Sequence, residues 1–447
     1  MNAIKFKRSV VINIIILFLG IVMAFMLLVI VYAMPSGRVE NNVRDSLQVL
    51  WAEGDYYCQI AGKTSTKLDN FADVYYLQMC FIKGSKGVID NALSSYGLKY
   101  VSDACSPLED LTAYFNGTDL GVYPRETRFW NGYVVILKPL LYFTNYGGIR
   151  NLNIILQTFL MFYICTLLKR YGGWYSCGLI LTWLAQNPFT ISANLFYSSI
   201  WYSTLVPMAV MLKCNDWIKR KNLYSTFFLL LGMETVFFNM NSSLCMPLGM
   251  CMILYMVLNG FEGNLLRQIR DMLCKGIAWL TGSLGLWSSK WILTGLFTEN
   301  YSVTEAFQIM SERTSADLPY SDEAISRMDV ISRNMRVLTE NKWCMVALLI
   351  FALLGLIYTL SRIMSGKLKE SRQICFCAGF WFLVFTAMPY VWYCFMPSHS
   401  YMHCHFTYRT LAIGVFSFTC GIAWFVEHSN SKFSALSILL KHKRGAQ

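Results

Sequence analysis

Two aspartates one helical turn apart are the residues of this chain best suited to acid–base chemistry. Asp69 and Asp73 lie in the run Leu-Asp-Asn-Phe-Ala-Asp-Val-Tyr-Tyr-Leu, among aromatic residues. At a spacing of four, both carboxylates project from one face of a helix. Aromatic neighbours exclude water and raise the pKa of a carboxyl group, which suits a general base. The alternative is structural: a helix N-cap followed by a solvated acid one turn on.

Arginines lie close to aromatic residues in a second stretch, between positions 123 and 133. Arg128 and Trp130 belong to it. Arginine beside aromatic rings suits a phosphate or sugar site, and it equally suits an anchor belt at the level of lipid headgroups. Both interpretations place the stretch at a membrane surface.

Histidines are concentrated in a third stretch, near the end of the chain. Three of the five histidines lie between positions 399 and 405, and Arg409 follows them. His399 and His403 are four apart, a spacing that permits shared metal ligation on a helix. Because no His-Glu-x-x-His motif is present, hydrogen bonding to a phosphate or sugar is the favoured interpretation, with packing at the membrane interface as the alternative. We predict no protein metal site and identify no cofactor, while a requirement for a divalent cation stays open.

The elements that must position these residues are membrane helices. The chain is 55% hydrophobic and 14% charged, against roughly 25% charged in a soluble domain. Ten apolar runs approach the roughly 20 residues that span a bilayer, so we predict an all-α polytopic membrane protein with about ten transmembrane helices. The runs are 9–33, 151–168, 174–187, 194–213, 223–238, 243–259, 276–298, 343–361, 374–393 and 406–426, with a further short helix at 133–147.

Glu234, Lys290 and Arg409 are the clearest ionisable residues inside these runs. An ionisable group at membrane depth costs roughly 2.5–3.5 kcal/mol, so it usually faces a cavity or a partner. Two partners are open for Lys290: Glu234 in another run, or the phosphate of a lipid.

The charge pattern predicts the orientation of the chain. Alternate connections and both termini carry 20 lysines and arginines against five acids. The loop at 34–131 instead carries twelve acids and nine basic residues. Since cytoplasmic loops accumulate basic residues, we predict cytoplasmic N- and C-termini in a multi-pass protein of the cell membrane. The net charge of +12 is then a topology signal and does not indicate binding to nucleic acid.

These observations divide the chain into six regions. We predict a cytoplasmic N-terminus and first helix at 1–33, an outer loop domain at 34–132, membrane helices at 133–298, a second outer loop at 299–342, membrane helices at 343–426 and a basic cytoplasmic tail at 427–447. The inner connections are short and no glycine-rich phosphate loop is present, so an activated donor would reach the outer face on a lipid carrier.

One helix, a large outer loop with carboxylates and then a helical bundle is a layout that resembles the GT-C superfamily of polytopic membrane glycosyltransferases. The resemblance implies a catalytic carboxylate in the first outer loop, which Asp69 or Asp73 would match. The family often has an adjacent acidic pair early in this loop, whereas here the adjacent pair, Glu109-Asp110, comes late.

The resemblance also implies a sugar donor linked to polyprenyl phosphate and bound by basic residues near the outer face. The residues that match this role are Arg128, Trp130, Lys290, His399, His403 and Arg409.

The expected function is transfer of that sugar to a cell-envelope glycan or lipid. The alternatives are an envelope polysaccharide polymerase or ligase, which the arginines of the second outer loop keep open, and a flippase or transporter of a lipid-linked substrate.

Overall fold

The computed structural model describes residues 2–101, 105–239, 243–300, 303–315, 317–318, 321–365 and 371–428. Helices dominate these residues, and their strands form two short antiparallel pairs. The predicted all-α membrane class is therefore confirmed. The predicted basic tail lies outside the described residues beyond His428.

A long first helix leads into a loop domain with four helices and one small strand pair. The first helix is α1 (Asn2–Ala33). The loop domain comprises α2 (Gly37–Glu53), a 3-10 turn (Thr64–Thr66), α3 (Asn70–Phe81), α4 (Val88–Ser94), β1 (Tyr96–Leu98), α5 (Pro107–Phe115) and β2 (Val122–Pro124). β1 and β2 pair antiparallel, with Gly97 opposite Tyr123.

The described residues that follow form a helical bundle interrupted by a second, smaller loop region. The first part of the bundle comprises α6 (Val134–Phe143), α7 (Tyr146–Leu168), α8 (Gly173–Ala185), α9 (Pro188–Ser192), α10 (Leu195–Arg220), α11 (Tyr224–Phe238), α12 (Cys245–Asn259) and α13 (Leu265–Phe297). The second loop region comprises α14 (Val303–Thr314), β3 (Asp317–Leu318), β4 (Ser321–Ala324) and α15 (Arg327–Thr339). The last part comprises α16 (Lys342–Met364), α17 (Arg372–Phe395), α18 (Pro397–Met402), α19 (Cys404–Thr407), a 3-10 turn (Tyr408–Leu411) and α20 (Ala412–His428).

Six helices within the described residues are long and apolar enough to cross a membrane. They are Val10–Ala33, Tyr146–Leu168, Leu195–Arg220, Lys342–Met364, Arg372–Phe395 and Cys404–His428. Three further apolar helices are shorter: α6, α11 and α12. The chain is thus a multi-pass membrane protein by the length and composition of its helices, and the predicted number of ten spans stays a prediction.

Two glycines bring α11 and α13 into close contact. A Cβ atom on Gly232 would lie 2.1 Å from the carbonyl oxygen of Trp279, and one on Gly282 would lie 2.1 Å from that of Leu229. Small residues let membrane helices approach in this way, because lipid provides no hydrophobic drive for their association. This pair fixes the part of the bundle that carries Lys290.

The two loop regions and the bundle meet at the 3-10 turn of the loop domain. The backbone N–H of Ser65 donates to Glu340, at the end of α15, over 2.7 Å. The carbonyl oxygen of Ser65 accepts from Asn187 over 3.2 Å and from Tyr408 over 3.0 Å. The side of the bundle that carries both loop regions is called the loop face below.

Candidate functional site

Asp69 is paired with a histidine that lies far away in the sequence. The Asp69 side chain caps α3, since its Oδ1 accepts from the N–H of Ala72 over 3.0 Å. Its Oδ2 lies 3.3 Å from Nε2 of His405, in α19. Both side chains are only 8% exposed. An ionised carboxylate can only accept, so Nε2 then carries a proton, and in the neutral ring Nδ1 has a lone pair.

Asp73 is fully buried and bonded on both oxygens. Its Oδ2 accepts from the hydroxyl of Tyr146 and from the N–H of Leu195, and its Oδ1 accepts from the N–H of Phe196 over 3.0 Å. Leu195 and Phe196 are the first two residues of α10, so the carboxylate binds the positive end of that helix. The solvated acid of the structural alternative is therefore wrong for Asp73, whereas its N-cap prediction is confirmed for Asp69.

A polar cavity of about 650 Å³ opens beside the Asp69–His405 pair at the loop face. Its wall comes from the loop domain, from α15 and from α18 and α19. The aromatic, basic and histidine residues of this wall include Tyr56, Lys67, Arg333, Arg336, Tyr401 and His405. Among the described residues, no hydrogen bond joins Nδ1 of His405, so this nitrogen is free to meet a molecule in the cavity.

Three cations and two acids give the polar cavity a mixed, mainly basic wall. Lys67 lies 4.4 Å from the ring centre of Tyr56, and Arg333 lies 4.4 Å from that of Tyr401. Arg336 joins them on the wall, together with the two acids Asp329 and Glu340. Cations held against aromatic rings suit a ligand that combines a negative charge with the apolar faces of sugar rings.

A second, apolar cavity of about 310 Å³ lies between α11, α13, α14 and α17. Trp279, Trp287 and Trp392 contribute rings to its wall, and Arg128 and Arg313 contribute charge. Arg128 also binds Glu126, with Nη2 at 3.1 Å from Oε2. An apolar wall with arginines suits an amphipathic ligand that has a hydrocarbon chain and an anionic head.

Three histidines form a row between the two cavities. His405 lines the polar cavity, and His399 at the other end is within range of the charge of Arg313, which lines the apolar cavity. The ring centres of His399 and His403 are 5.1 Å apart, and those of His403 and His405 are 6.1 Å apart. The pKa of His399 is held well below its usual value by burial and by the charge of Arg313. Burial also lowers the pKa of His403 to about 4. At neutral pH both rings are therefore neutral and act as hydrogen-bonding groups rather than as cations.

Arg409 is almost completely buried, with 1% of its surface exposed. Its Nη1 donates to the carbonyl oxygen of Gln186 over 2.6 Å and to the hydroxyl of Tyr408 over 3.0 Å. Its guanidinium lies 4.2 Å from the ring centre of Tyr197. Nε and Nη2 have no hydrogen-bond partner among the described residues. Arg409 supports the end of α8 and is absent from the walls of both cavities.

Lys290 and Trp130 lie together and line neither cavity, with the Lys290 ammonium 5.6 Å from the ring centre of Trp130. The Lys290 ammonium donates to the carbonyl oxygen of Leu93 over 2.7 Å and so caps the end of α4. The indole N–H of Trp130 donates to the carbonyl oxygen of Leu286 over 2.6 Å. Both side chains are fully buried. Their contacts hold the loop domain on α13.

The structure therefore brings some of the predicted site residues together and separates others. Asp69 and His403 gather around His405 beside the polar cavity, and Arg128 lies at the apolar one. His405 was missed by the sequence interpretation, which chose His399 and His403 for their spacing. The signal that points to His405 is its place as the third member of the same cluster.

Within the described part of the chain, no cluster of three or more His, Cys, Asp or Glu side chains is arranged to hold a metal ion. Compared with family models, curated proteins and solved structures, the chain has no significant match.

Proposed function

We propose that the protein is a membrane glycosyltransferase that moves a sugar from a polyprenyl-phosphate donor to a cell-envelope glycan or lipid at the outer face. The observation that carries this proposal is the Asp69–His405 pair at the edge of the polar cavity. A carboxylate that orients a histidine prepares its other ring nitrogen to accept a proton. The cavity leaves space for a hydroxyl-bearing acceptor beside that nitrogen.

In the proposed step, the acceptor hydroxyl attacks the anomeric carbon of the donor sugar. The bond from this carbon to the phosphate oxygen breaks, and the phosphate leaves with the bonding electron pair. His405 takes the hydroxyl proton, and Asp69 stabilises the resulting imidazolium. Lys67, Arg333 and Arg336 stabilise the negative charge that develops on the phosphate.

The apolar cavity is the proposed site of the lipid chain of the donor. Its tryptophan rings provide an apolar wall, while Arg128 and Arg313 provide positive charge. α18 contacts both α14 and α15, and its residues Tyr401 and Met402 line the polar cavity. A donor with its chain in the apolar cavity would pass α18 to bring its sugar to His405. The row of neutral histidines offers hydrogen bonds along this path.

The test is the composition of the envelope glycans of cells that produce the Asp69→Asn variant. We expect loss of one sugar substituent, measured by mass spectrometry, with unchanged abundance of the protein in the membrane. Asp45→Asn is the matched control, because Asp45 is an exposed acid in α2 of the same loop domain. Wild-type glycans in the Asp69→Asn cells would exclude a catalytic role of the Asp69–His405 pair.

The same measurement separates the two alternative functions. Arg333 and Arg336 come from the second loop region and line the polar cavity, which is the observation that favours a polymerase or ligase. That activity would change the length of the glycan or its attachment rather than remove one substituent. A flippase would move the lipid-linked substrate across the membrane of liposomes without changing its covalent structure.

A further inference from the structure

An almost continuous series of aromatic rings leads from His405 across the exposed surface of the loop domain. Tyr56 makes an edge contact with His405 at a centroid distance of 5.8 Å and stacks on Phe71 at 5.9 Å. Phe71 contacts Tyr75 at 5.2 Å. The series, called the aromatic track below, consists of Tyr56, Phe71, Tyr75, Tyr100 and Tyr123.

The distal part of the aromatic track is held in place by Arg125. Its guanidinium lies 3.4 Å from the ring centre of Tyr75, and its Nη2 donates to the hydroxyl of Tyr100 over 2.9 Å. The hydroxyls of Tyr75 and Tyr100 are 3.4 Å apart, and the rings of Tyr100 and Tyr123 are 6.5 Å apart. Because these contacts fix the rings before a ligand arrives, little ordering entropy remains to be lost on binding.

The aromatic track is nevertheless open to solvent. Tyr56 and Tyr100 are each 46% exposed, and Phe71, Tyr75 and Tyr123 are half-buried. Exposed rings in a contiguous patch usually mark a binding surface. Four of the five rings are tyrosines, which offer a hydroxyl beside each apolar face.

We propose that the aromatic track binds an extended carbohydrate chain and guides its end into the polar cavity. Sugar rings present apolar C–H faces and hydroxyl groups side by side, which matches a row of tyrosines. The track is continuous with the proposed reaction site, since Tyr56 and His405 both line the cavity. This inference rests on the proposed function and narrows its acceptor to a glycan several units long.

The experiment measures binding separately from catalysis. Envelope polysaccharide from cells that lack the protein is cut, sorted into short and long oligosaccharides and labelled at one end. Binding to the purified, detergent-solubilised chain is then followed by fluorescence anisotropy. We expect affinity to rise with chain length in the wild type. Tyr100→Ala should weaken binding of the long fraction roughly three- to tenfold, the loss expected for one aromatic contact.

Tyr57→Ala is the matched control, because Tyr57 is 41% exposed on the same loop domain but lies outside the aromatic track. Tyr100→Phe tests the hydroxyl separately from the ring, and we expect it to retain most of the affinity. Wild-type affinity of Tyr100→Ala for long chains, or equal losses for long and short chains, would overturn the inference. So would Tyr100→Ala reducing flotation with anionic lipid vesicles while leaving oligosaccharide binding intact, since the track would then be a membrane contact.

The two proposals fail in different ways. If Asp69→Asn abolishes sugar transfer but Tyr100→Ala binds long chains normally, the catalytic proposal stands and the aromatic track is not the acceptor site. If Tyr100→Ala loses binding but Asp69→Asn still transfers sugar, the loop domain binds carbohydrate and the proposed Asp69–His405 pair is wrong.

Discussion

Asp69 and Asp73 stand one turn apart at the start of α3, yet different partners surround their carboxylates. Asp69 accepts from the N–H of Ala72 through Oδ1, and its Oδ2 lies against a histidine that lines an open cavity. Asp73 accepts from two backbone N–H groups and a tyrosine hydroxyl, with no exposed surface. The two carboxylates therefore differ in access to the cavity rather than in the number of their bonded oxygens. Asp73, the closed carboxylate, has all its contacts inside the fold, whereas Asp69, the open carboxylate, is paired with a histidine that lines the cavity and is available for chemistry.

Substitution of Asp69 or His405, the pair beside the polar cavity, should have the largest effect on the rate of sugar transfer. Asp69→Asn and His405→Gln should each slow sugar transfer by about 10²- to 10⁴-fold, because this is the usual contribution of general acid–base catalysis. The double variant should be no slower than the slower single variant, since the two groups act as a unit. The measurement is the transfer rate per mole of purified protein.

A matched control for these variants is Asp45→Asn, which removes an exposed acid from the same domain. Multiplicative losses in the double variant would show that Asp69 and His405 act independently and would contradict the proposed pair.

Substitution of the closed carboxylate should instead reduce stability. Asp73→Asn places an amide N–H₂ group against the N–H donors of Leu195 and Phe196 and leaves buried donors unpaired, which costs about 1–3 kcal/mol for each. We expect a large fall in folded protein in the membrane, measured by the abundance of detergent-extracted monodisperse protein. Any Asp73→Asn protein that does fold should keep a substantial transfer rate per mole. A stable but inactive Asp73→Asn variant would reverse the assignment of the two aspartates.

The sequence predicted that Asp69 and Asp73 lie close together, but not that their carboxylates have different partners. The spacing of four residues predicted both carboxylates on one face of a helix, but only Asp73 lies within α3, and Asp69 is its N-cap with non-helical backbone angles. The partner of Asp69 is 336 positions away and the backbone donors to Asp73 are 122 and 123 positions away. Local spacing cannot show which distant helix packs against each turn, and that packing decides which carboxylate is closed.

The buried cation Lys290 shows the same limit, because its contacts also come from a distant part of the chain. Its apolar surroundings in the sequence correctly indicated a buried cation, and buried cations need partners. The partners among the described residues are the carbonyl oxygens of Ala92 and Leu93 at the end of α4, and not Glu234. No local pattern reveals that this small helix docks on α13. Apolar runs, in contrast, predicted the helical class directly, because hydrophobicity along one segment is a local property.

The stability of the protein should depend on pH through the buried carboxyl group of Asp73. Burial raises the pKa of Asp73 to about 7 from the value of 3.8, so the folded protein binds this proton more tightly than the unfolded chain does. The stabilisation is complete below pH about 4 and is lost as the pH rises through about 7. We expect the thermal midpoint of the wild type to fall across this window relative to a folded Asp73→Asn preparation. Parallel pH profiles would contradict the assignment.

Removal of one hydrogen-bond donor to Asp73 should have the smallest effect on stability. It is also the most specific test of the structural role of Asp73. Tyr146→Phe deletes the hydroxyl that donates to Asp73 and accepts from Arg150 over 2.8 Å, while Arg150 keeps its two bonds to Glu53. Hydrogen bonds to charged groups contribute roughly 1.5–3 kcal/mol, so we expect a modest fall in the thermal midpoint.

The same change should move the pH window upward, because the Tyr146 bond lowers the pKa of Asp73. Tyr142→Phe, on the neighbouring helix α6, is the matched control and should leave both the midpoint and the window in place. The transfer rate per mole of Tyr146→Phe should stay near that of the wild type, since Tyr146 contacts the closed carboxylate and lines neither cavity. A selective loss of transfer in this variant would instead connect Asp73 to the reaction and remove the distinction between the two aspartates.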